Sequence, residues 1–234
     1  MRVTRFKPAA PAPGAATLTI EALVPTSAYV DLRDNVSEST MLPAEALAIA
    51  GALPERRFEF ATVRHCARQA LARIGIPPAA IIPDADGAPR WPAGVVGSMT
   101  HCAGYRAAVV ARSDRLRGIG IDAEAHAALP RATRDLVLRR EERARLRTLA
   151  EAEPDVHWDC ICFCAKEAVY KAWFPSTRRW LDFADISVTV HAGGTFQACL
   201  LGAETDTAGA DREVLAGRWV VSRGLVVAGT SVAR

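Results

Sequence analysis

The sequence holds six cysteines, yet none forms a CxxC pair or a cysteine–histidine cluster at the spacing of a zinc module, so no structural zinc site is expected. Long apolar runs are missing as well. No segment reaches the ~18 apolar residues of a membrane span, and the opening MRVTRFKPAAPAPGAAT lacks the continuous apolar core of a secretory signal. The chain is therefore expected to stay in the cytoplasm, with no membrane partner. An excess of one charge is also lacking: 29 Lys and Arg stand against 26 Asp and Glu, a net charge of +3. That is too mild for the concentrated basic surface of a nucleic-acid binder, so no nucleic acid is expected, and it is compatible with an anionic small substrate. What is present is globular material: 234 residues, 50% hydrophobic and 24% charged, enough to bury a core without disulfides. Cys160, Cys162 and Cys164 alternate with apolar residues in WDCICFCAKE and read as small buried side chains.

Residues 1–17 read as a flexible leader, because proline and alanine without periodicity cannot offset the entropy of ordering. TLTIEALVP then predicts a first strand, and LPERRFEFATVRHCARQALARIG a long helix closed by Gly75. A proline-rich loop follows from Pro77 to Pro92, and VVGSMTHCAGYRAAVVAR predicts a hairpin turning near Gly104. The order recurs downstream. A strand at GIGIDAEA precedes helices over Pro130–Arg147 and Trp158–Trp173, and strands are expected near Ile186–Val190, Thr195–Leu201 and Arg218–Val232, with GAETDTAGADREVLAG as a polar loop. Two similar strand–helix–hairpin halves are expected, an α/β (α+β) pseudo-dimer with boundaries at 18–117 and 118–234. The run RATRDLVLRREERARLRTL mixes arginine with glutamate and reads as a solvated helix whose surface could meet an acidic partner.

Asp122 and Glu124 stand two apart in GIGIDAEA, so strand geometry places both carboxylates on one face, where a hard cation could hold them. A solvated turn would explain the same pair. Downstream, FCAKEAVYKAW puts Lys166, Glu167 and Lys171 on one helix. An ordinary i,i+4 ion pair accounts for Glu167 and Lys171 when they are taken alone. Taken together, the two segments offer three carboxylates for a metal and two amines for phosphate oxygens. Helical spacing in the long first helix selects Arg57, Arg64 and Arg68 as one basic stripe.

These segments, Ile119-Gly120-Ile121-Asp122 and Phe163 to Lys171, resemble the Sfp-type 4'-phosphopantetheinyl transferases, whose signature is (V/I)G(V/I)D followed by (F/W)xxKExxxK. The resemblance runs from about Pro54 to the end, and ERRFEFATVRHCARQAL, WPAGVVGSMTHCAGYRAAVV and FCAKEAVYKAWFP look most like the actinobacterial branch. It implies a pseudo-dimeric fold working as a monomer, with coenzyme A in the cleft between the halves. It also implies a Mg²⁺ ion, replaceable by Mn²⁺, on Asp122, Glu124 and Glu167. Lys166 and Lys171 would contact phosphate, His101 would touch the nucleotide's phosphates with Ser98 and Thr100 near it, and Arg56 and Arg64 would meet the 3'-phosphate and adenine. The implied reaction moves phosphopantetheine to a serine of apo acyl or peptidyl carrier protein domains of fatty acid, polyketide or nonribosomal peptide synthases, releasing 3',5'-ADP. Glu167, directly or through a water, would be the base. One departure stands out: where many relatives carry a lysine before the Trp-Pro segment, this chain reads Ile82-Pro83-Asp84-Ala85-Asp86-Gly87-Ala88-Pro89. Two other readings fit the carboxylates less well: a metal-dependent nuclease, and a nucleotide- or carrier-binding module without catalysis.

Overall fold

The computed structural model of the chain describes residues 23–24, 27–32, 34–201 and 213–234. The expected leader lies outside them, as does most of the expected first strand. The described end of that segment, Leu23 and Val24, is a buried turn. A strand that the sequence did not predict is β1, Ala28–Leu32, whose aspartate and short length hid it.

In the first half, β2 (Val95–Cys102) and β3 (Tyr105–Arg112) form the expected hairpin, and β1 pairs with the other side of β3 in an antiparallel sheet of order β1-β3-β2. A short helix, α1 (Pro43–Ala48), precedes α2 (Pro54–Arg73). Pro54 suits the first turn of α2, where its missing N–H has no partner to lose, and Gly75, at φ +73°, ends the helix. Phe60, Ala67, Ala70 and Leu71 of α2 are buried, with Cys66, Ala67, Ala70 and Leu71 packed against the β3 side chains Ala108 and Val110.

The second half runs β4 (Leu116–Ala125), α3 (Arg131–Val137), α4 (Arg140–Ala152), α5 (Trp158–Thr177), β5 (Ile186–His191), β6 (Thr195–Leu200), β7 (Val214–Ser222) and β8 (Leu225–Ala233). Its five strands form an antiparallel sheet of order β4-β8-β7-β6-β5 covered by α5. Three expectations are corrected. The helix over 130–147 is two helices, broken at Leu138 and Arg139. The strand over 218–232 is the β7–β8 hairpin, turning at Arg223 and Gly224. Of the expected polar loop, 202–212 lie outside the described residues, and Val214–Gly217 already belong to β7. The described residues thus make the two similar sheet–helix–hairpin halves expected from the sequence. No described helix is long and apolar enough to cross a membrane.

Two features position the site. The edge strands β2 and β4 adjoin without a backbone ladder. Instead, the Ile121 N–H donates to Ser98 Oγ and the Ala123 N–H to Thr100 Oγ1, each at 3.1 Å. On the face of β4 that carries Gly118 and Gly120, α5 lies directly on the backbone. A Cβ on Gly118 would stand 2.1 Å from the Ala172 carbonyl oxygen, and one on Gly120 1.8 Å from that of Ala168. The glycines of the GIGID segment are therefore a steric requirement of helix-on-strand contact.

Candidate active site

A cleft of about 570 Å³ opens between the halves. Arg56 and Arg64 from α2, the 86–89 loop, Ser98, Thr100 and His101 from β2, Asp122 and Glu124 from β4, and Glu167 and Lys171 from α5 all line it. Period-two geometry carries Asp122 and Glu124 to the same side of β4, as expected. Sitting on the two glycines, α5 brings Glu167 and Lys171 over them.

At this end the charges are unbalanced. Lys171 Nζ donates to Asp122 Oδ1 at 2.6 Å, and Thr100 Oγ1 donates to the same oxygen at 3.0 Å. The other oxygen, Asp122 Oδ2, is buried with no hydrogen-bond partner among the described residues. Glu124 is pushed up to about 7, first by burial and then by Asp122, with Glu167 adding and Lys171 opposing. Burial and then Asp122 also raise Glu167. Burial opposes the charge of Lys171, but Asp122 and Glu167 outweigh it and hold the amine above the usual lysine range. Three carboxylates interact with one ammonium, and one carboxylate oxygen is left unpartnered among the described residues. Among the described residues no group of three or more histidine, cysteine, aspartate or glutamate side chains stands placed to hold a metal ion. The donor chemistry nonetheless fits a hard divalent cation, which prefers carboxylate oxygens and would supply the missing positive charge.

At the other end, Arg56 donates from Nη1 to His101 Nε2 at 2.6 Å. Because a guanidinium cannot accept, His101 is here a neutral ring with Nε2 as acceptor. Burial lowers its proton affinity, Arg56, Lys171 and Arg106 add to that, and Glu59 opposes. Glu59 lies 3.5 Å from Arg56, 3.7 Å from His101 and 3.6 Å from Arg106, joining three basic side chains. Arg64 stacks its guanidinium 3.3 Å over the Phe60 ring and donates from Nε to the Ile81 carbonyl. The stripe suggested by helical spacing does not form. Arg57 pairs with Glu38 and Arg68 with the buried Glu45, so both point away from the cleft that Arg56 and Arg64 line.

Lys166 also departs from expectation. It has no exposed surface and does not line the cleft. Its ammonium bonds at 2.8 Å to Glu142 Oε2 and to the carbonyls of Val137 and Phe183. Contact with phosphate is therefore corrected to burial on the opposite side of α5. Ser98 and Thr100 do reach the cleft wall, but their hydroxyls hold the seam to β4. Cys66 and Cys160 are buried, and burial pushes each thiol up to about 12, so neither offers a thiolate at neutral pH.

Sequence reasoning missed Glu59, although its i,i+3 spacing from Arg56 was a signal. It also missed an aromatic wall. Tyr170 stacks on Phe174, and Trp180 leans on both at ring-centroid distances of 6.0 and 5.1 Å. The 82–89 loop was read only as lacking a lysine. Asp84 Oδ1 accepts from the Asp86 and Ala88 N–H groups, and Arg178 beyond α5 pairs with both Asp84 and Asp86 across the cleft mouth.

Comparison with known proteins follows the same division of the chain. Residues 44–111 match the 4'-phosphopantetheinyl transferase N-terminal domain, and residues 118–222 the 4'-phosphopantetheinyl transferase superfamily. The chain is 48% identical to the 4'-phosphopantetheinyl transferase PptT of Mycobacterium tuberculosis over 86% of its own length and 89% of that protein. It is 46% identical to Svp of Streptomyces mobaraensis, over 92% of this chain and 89% of the relative. It is also 46% identical to Npt of Nocardia iowensis, over 79% and 86% respectively. With both halves matched and this identity across nearly the whole length, the chain belongs to the 4'-phosphopantetheinyl transferase superfamily and is an enzyme of that kind.

Proposed function

We propose that the enzyme moves the 4'-phosphopantetheine arm of coenzyme A to a serine of an apo acyl or peptidyl carrier protein, with a divalent cation, Mg²⁺ or Mn²⁺, held by Asp122, Glu124 and Glu167. The observation that carries this reading is one cleft with opposite ends. Three carboxylates and an orphaned oxygen sit at one end, and Arg56, Arg64 and His101 sit at the other. Coenzyme A has matching chemistry, a pyrophosphate between an apolar arm and a phosphorylated nucleotide. Arg56 and Arg64 suit the 3'-phosphate, since a guanidinium presents a planar fork to phosphate oxygens. The aromatic side chains Phe163, Tyr170, Phe174 and Trp180 suit the apolar part of the arm.

The cation supplies charge neutralisation at the pyrophosphate. Phosphoryl-type displacement asks the protein mainly for positioning and charge stabilisation. The carrier serine oxygen attacks the β-phosphorus, the bond from that phosphorus to the bridging oxygen breaks, and 3',5'-ADP leaves with the bridging oxygen. Glu167, directly or through a water, takes the serine proton. Lys171, held between Asp122 and Glu167, faces the phosphate oxygens. His101 stands neutral beside Arg56 and gains a hydrogen-bond role toward phosphate once that contact opens.

The halves are read as 18–117 and 118–234 after a 1–17 leader, with one complete cleft per monomer and a cytoplasmic place of work. Arg134, Arg140 and Arg147 line a groove beside α4 that suits an acidic carrier surface. Fatty acid, polyketide and nonribosomal peptide carriers share that chemistry. Incubating apo carriers of each kind with coenzyme A and Mg²⁺, then weighing the products by mass spectrometry, tests the proposal. A gain of one phosphopantetheine is expected, and no gain on any carrier overturns it.

A further inference from the structure

Lys166 and Glu142 form a closed polar unit in the core. Glu142 Oε1 accepts from the Val188 N–H at 2.7 Å. Its Oε2 accepts from the Arg139 N–H at 2.8 Å and from Lys166 Nζ at 2.8 Å. Lys166 donates its other two protons to the Val137 and Phe183 carbonyls. Neither side chain has exposed surface. The partners fall where chain direction changes. Val137 ends α3 and Arg139 lies in the break before α4, Phe183 opens the turn after α5, and Val188 lies in β5. One ion pair thus ties α5 to the α3–α4 break, to the turn before β5 and to β5 itself.

The near side of α5 is fixed differently, by Ala168 and Ala172 seated on Gly120 and Gly118. That contact sets the distance from helix to strand along one line of α5. The Lys166–Glu142 pair adds a polar fixed point on another face of the helix. Successive helical residues are turned by about 100°, so anchoring Lys166 dictates where Glu167 and Lys171 point. We propose that the Lys166–Glu142 pair is a positioning device that fixes the rotation of α5 and so places Glu167 and Lys171 against Asp122. The KExxxK segment then divides its labour: its first lysine orients the helix, and its glutamate and second lysine face the cleft. Glu142 becomes a functional residue that touches no substrate. This inference rests on the transfer reaction proposed above for its kinetic readout.

The test uses three variants of the full chain: Lys166→Met, Glu142→Gln and the doublet Lys166→Met/Glu142→Leu. A buried ion pair replaced on both sides by apolar groups commonly keeps stability, so the doublet guards against simple unfolding. Kinetics are measured well below each melting temperature. A misplaced reacting group costs up to about 10²-fold in rate, so each variant should lose roughly tenfold to a hundredfold in kcat. KM for coenzyme A should stay within about twofold of wild type. A rise in KM for Lys166→Met with Glu142→Gln unaffected would make Lys166 a phosphate contact and overturn the proposal. Full kcat in a folded doublet would reduce the pair to a stability element and overturn it equally. A crystal structure of the doublet gives a second reading that does not depend on transfer. Loss of the Lys171–Asp122 contact is expected, and its retention overturns the inference. Failure of wild-type enzyme to modify any carrier would instead count against the proposed reaction.

Discussion

Lys171 reaches one oxygen of Asp122 at 2.6 Å while the other oxygen of the same carboxylate is buried without a hydrogen-bond partner among the described residues. The lysine therefore balances only part of the negative charge that β4 and α5 bring together. Asp122 has two duties, as partner of Lys171 and as candidate metal ligand, and its replacement tests both. Asp122→Asn should lower transfer by at least about 10²-fold, the scale of losing an electrostatic group at a reacting centre. It should also lower stability by about 1–3 kcal/mol through the lost charge-assisted hydrogen bond. Turnover across a Mg²⁺ titration, together with a denaturant melt, checks the two parts separately. Near-wild-type turnover at limiting Mg²⁺ would remove Asp122 from the metal site.

Glu167→Gln keeps the shape of the side chain and removes its proton affinity. Loss of a general base costs ~10²-fold or more in turnover, whereas coenzyme A binding measured by calorimetry should weaken far less. An unchanged turnover number would leave Glu167 as a mere ion-pair partner of Lys171.

At the nucleotide end, Arg56→Ala, Arg64→Ala and His101→Ala should each raise KM for coenzyme A more than KM for dephospho-coenzyme A. Arg56 and His101 touch at 2.6 Å, so their double variant should lose less than the product of the single losses. Equal effects on the two substrates would assign these side chains to the adenine pocket or to the fold.

Glu124 gives a pH dependence of definite sign. Its carboxyl is raised from 4.5 to about 7 in the folded chain. The stabilising contribution of its bound proton is complete below the unfolded value and is lost as pH rises through about 7. Metal-free protein should therefore melt at lower temperature as pH climbs through this window, and Glu124→Gln should flatten that slope. Glu167 is shifted in the same direction, so some slope should remain. Mg²⁺ has to displace the proton, and should protect the protein more at pH 8 than at pH 6. The same slope in Glu124→Gln as in wild type would contradict this assignment.

Much of the arrangement was legible because local periodicity was strong. The β2–β3 hairpin, the long α2 and the Asp122–Glu124 strand all followed from patterns of period two or 3.6. What stayed hidden depended on neighbours. Helical spacing gave Arg57, Arg64 and Arg68 nearly one direction, but could not reveal that Glu38 and Glu45 wait beside two of them. Lys166 was indistinguishable from Lys171 along the chain, because its partner Glu142 sits in an arginine-rich run that reads as solvated. In the fold, α4 does expose most of that run, yet Glu142 and Leu146 turn inward. The break at Leu138 and Arg139 was invisible for the same reason, since the polar pattern continues across it without proline or glycine.

The seating of α5 on Gly118 and Gly120 has a mechanical consequence. Most helices rest on a sheet through a layer of side chains, which can swap rotamers and absorb small displacements. Here main chain bears on main chain, and a single added methyl at Gly120 would drive into the Ala168 carbonyl. The gap between Asp122 on β4 and the cleft side of α5 is thus held by an unyielding bearing. A wedge of one carbon would lift the helix bodily and carry Glu167 and Lys171 away from Asp122 together. The spacing between the two halves of the chemistry is set where the sequence has no side chain at all, and that leaves this contact no room for gradual change.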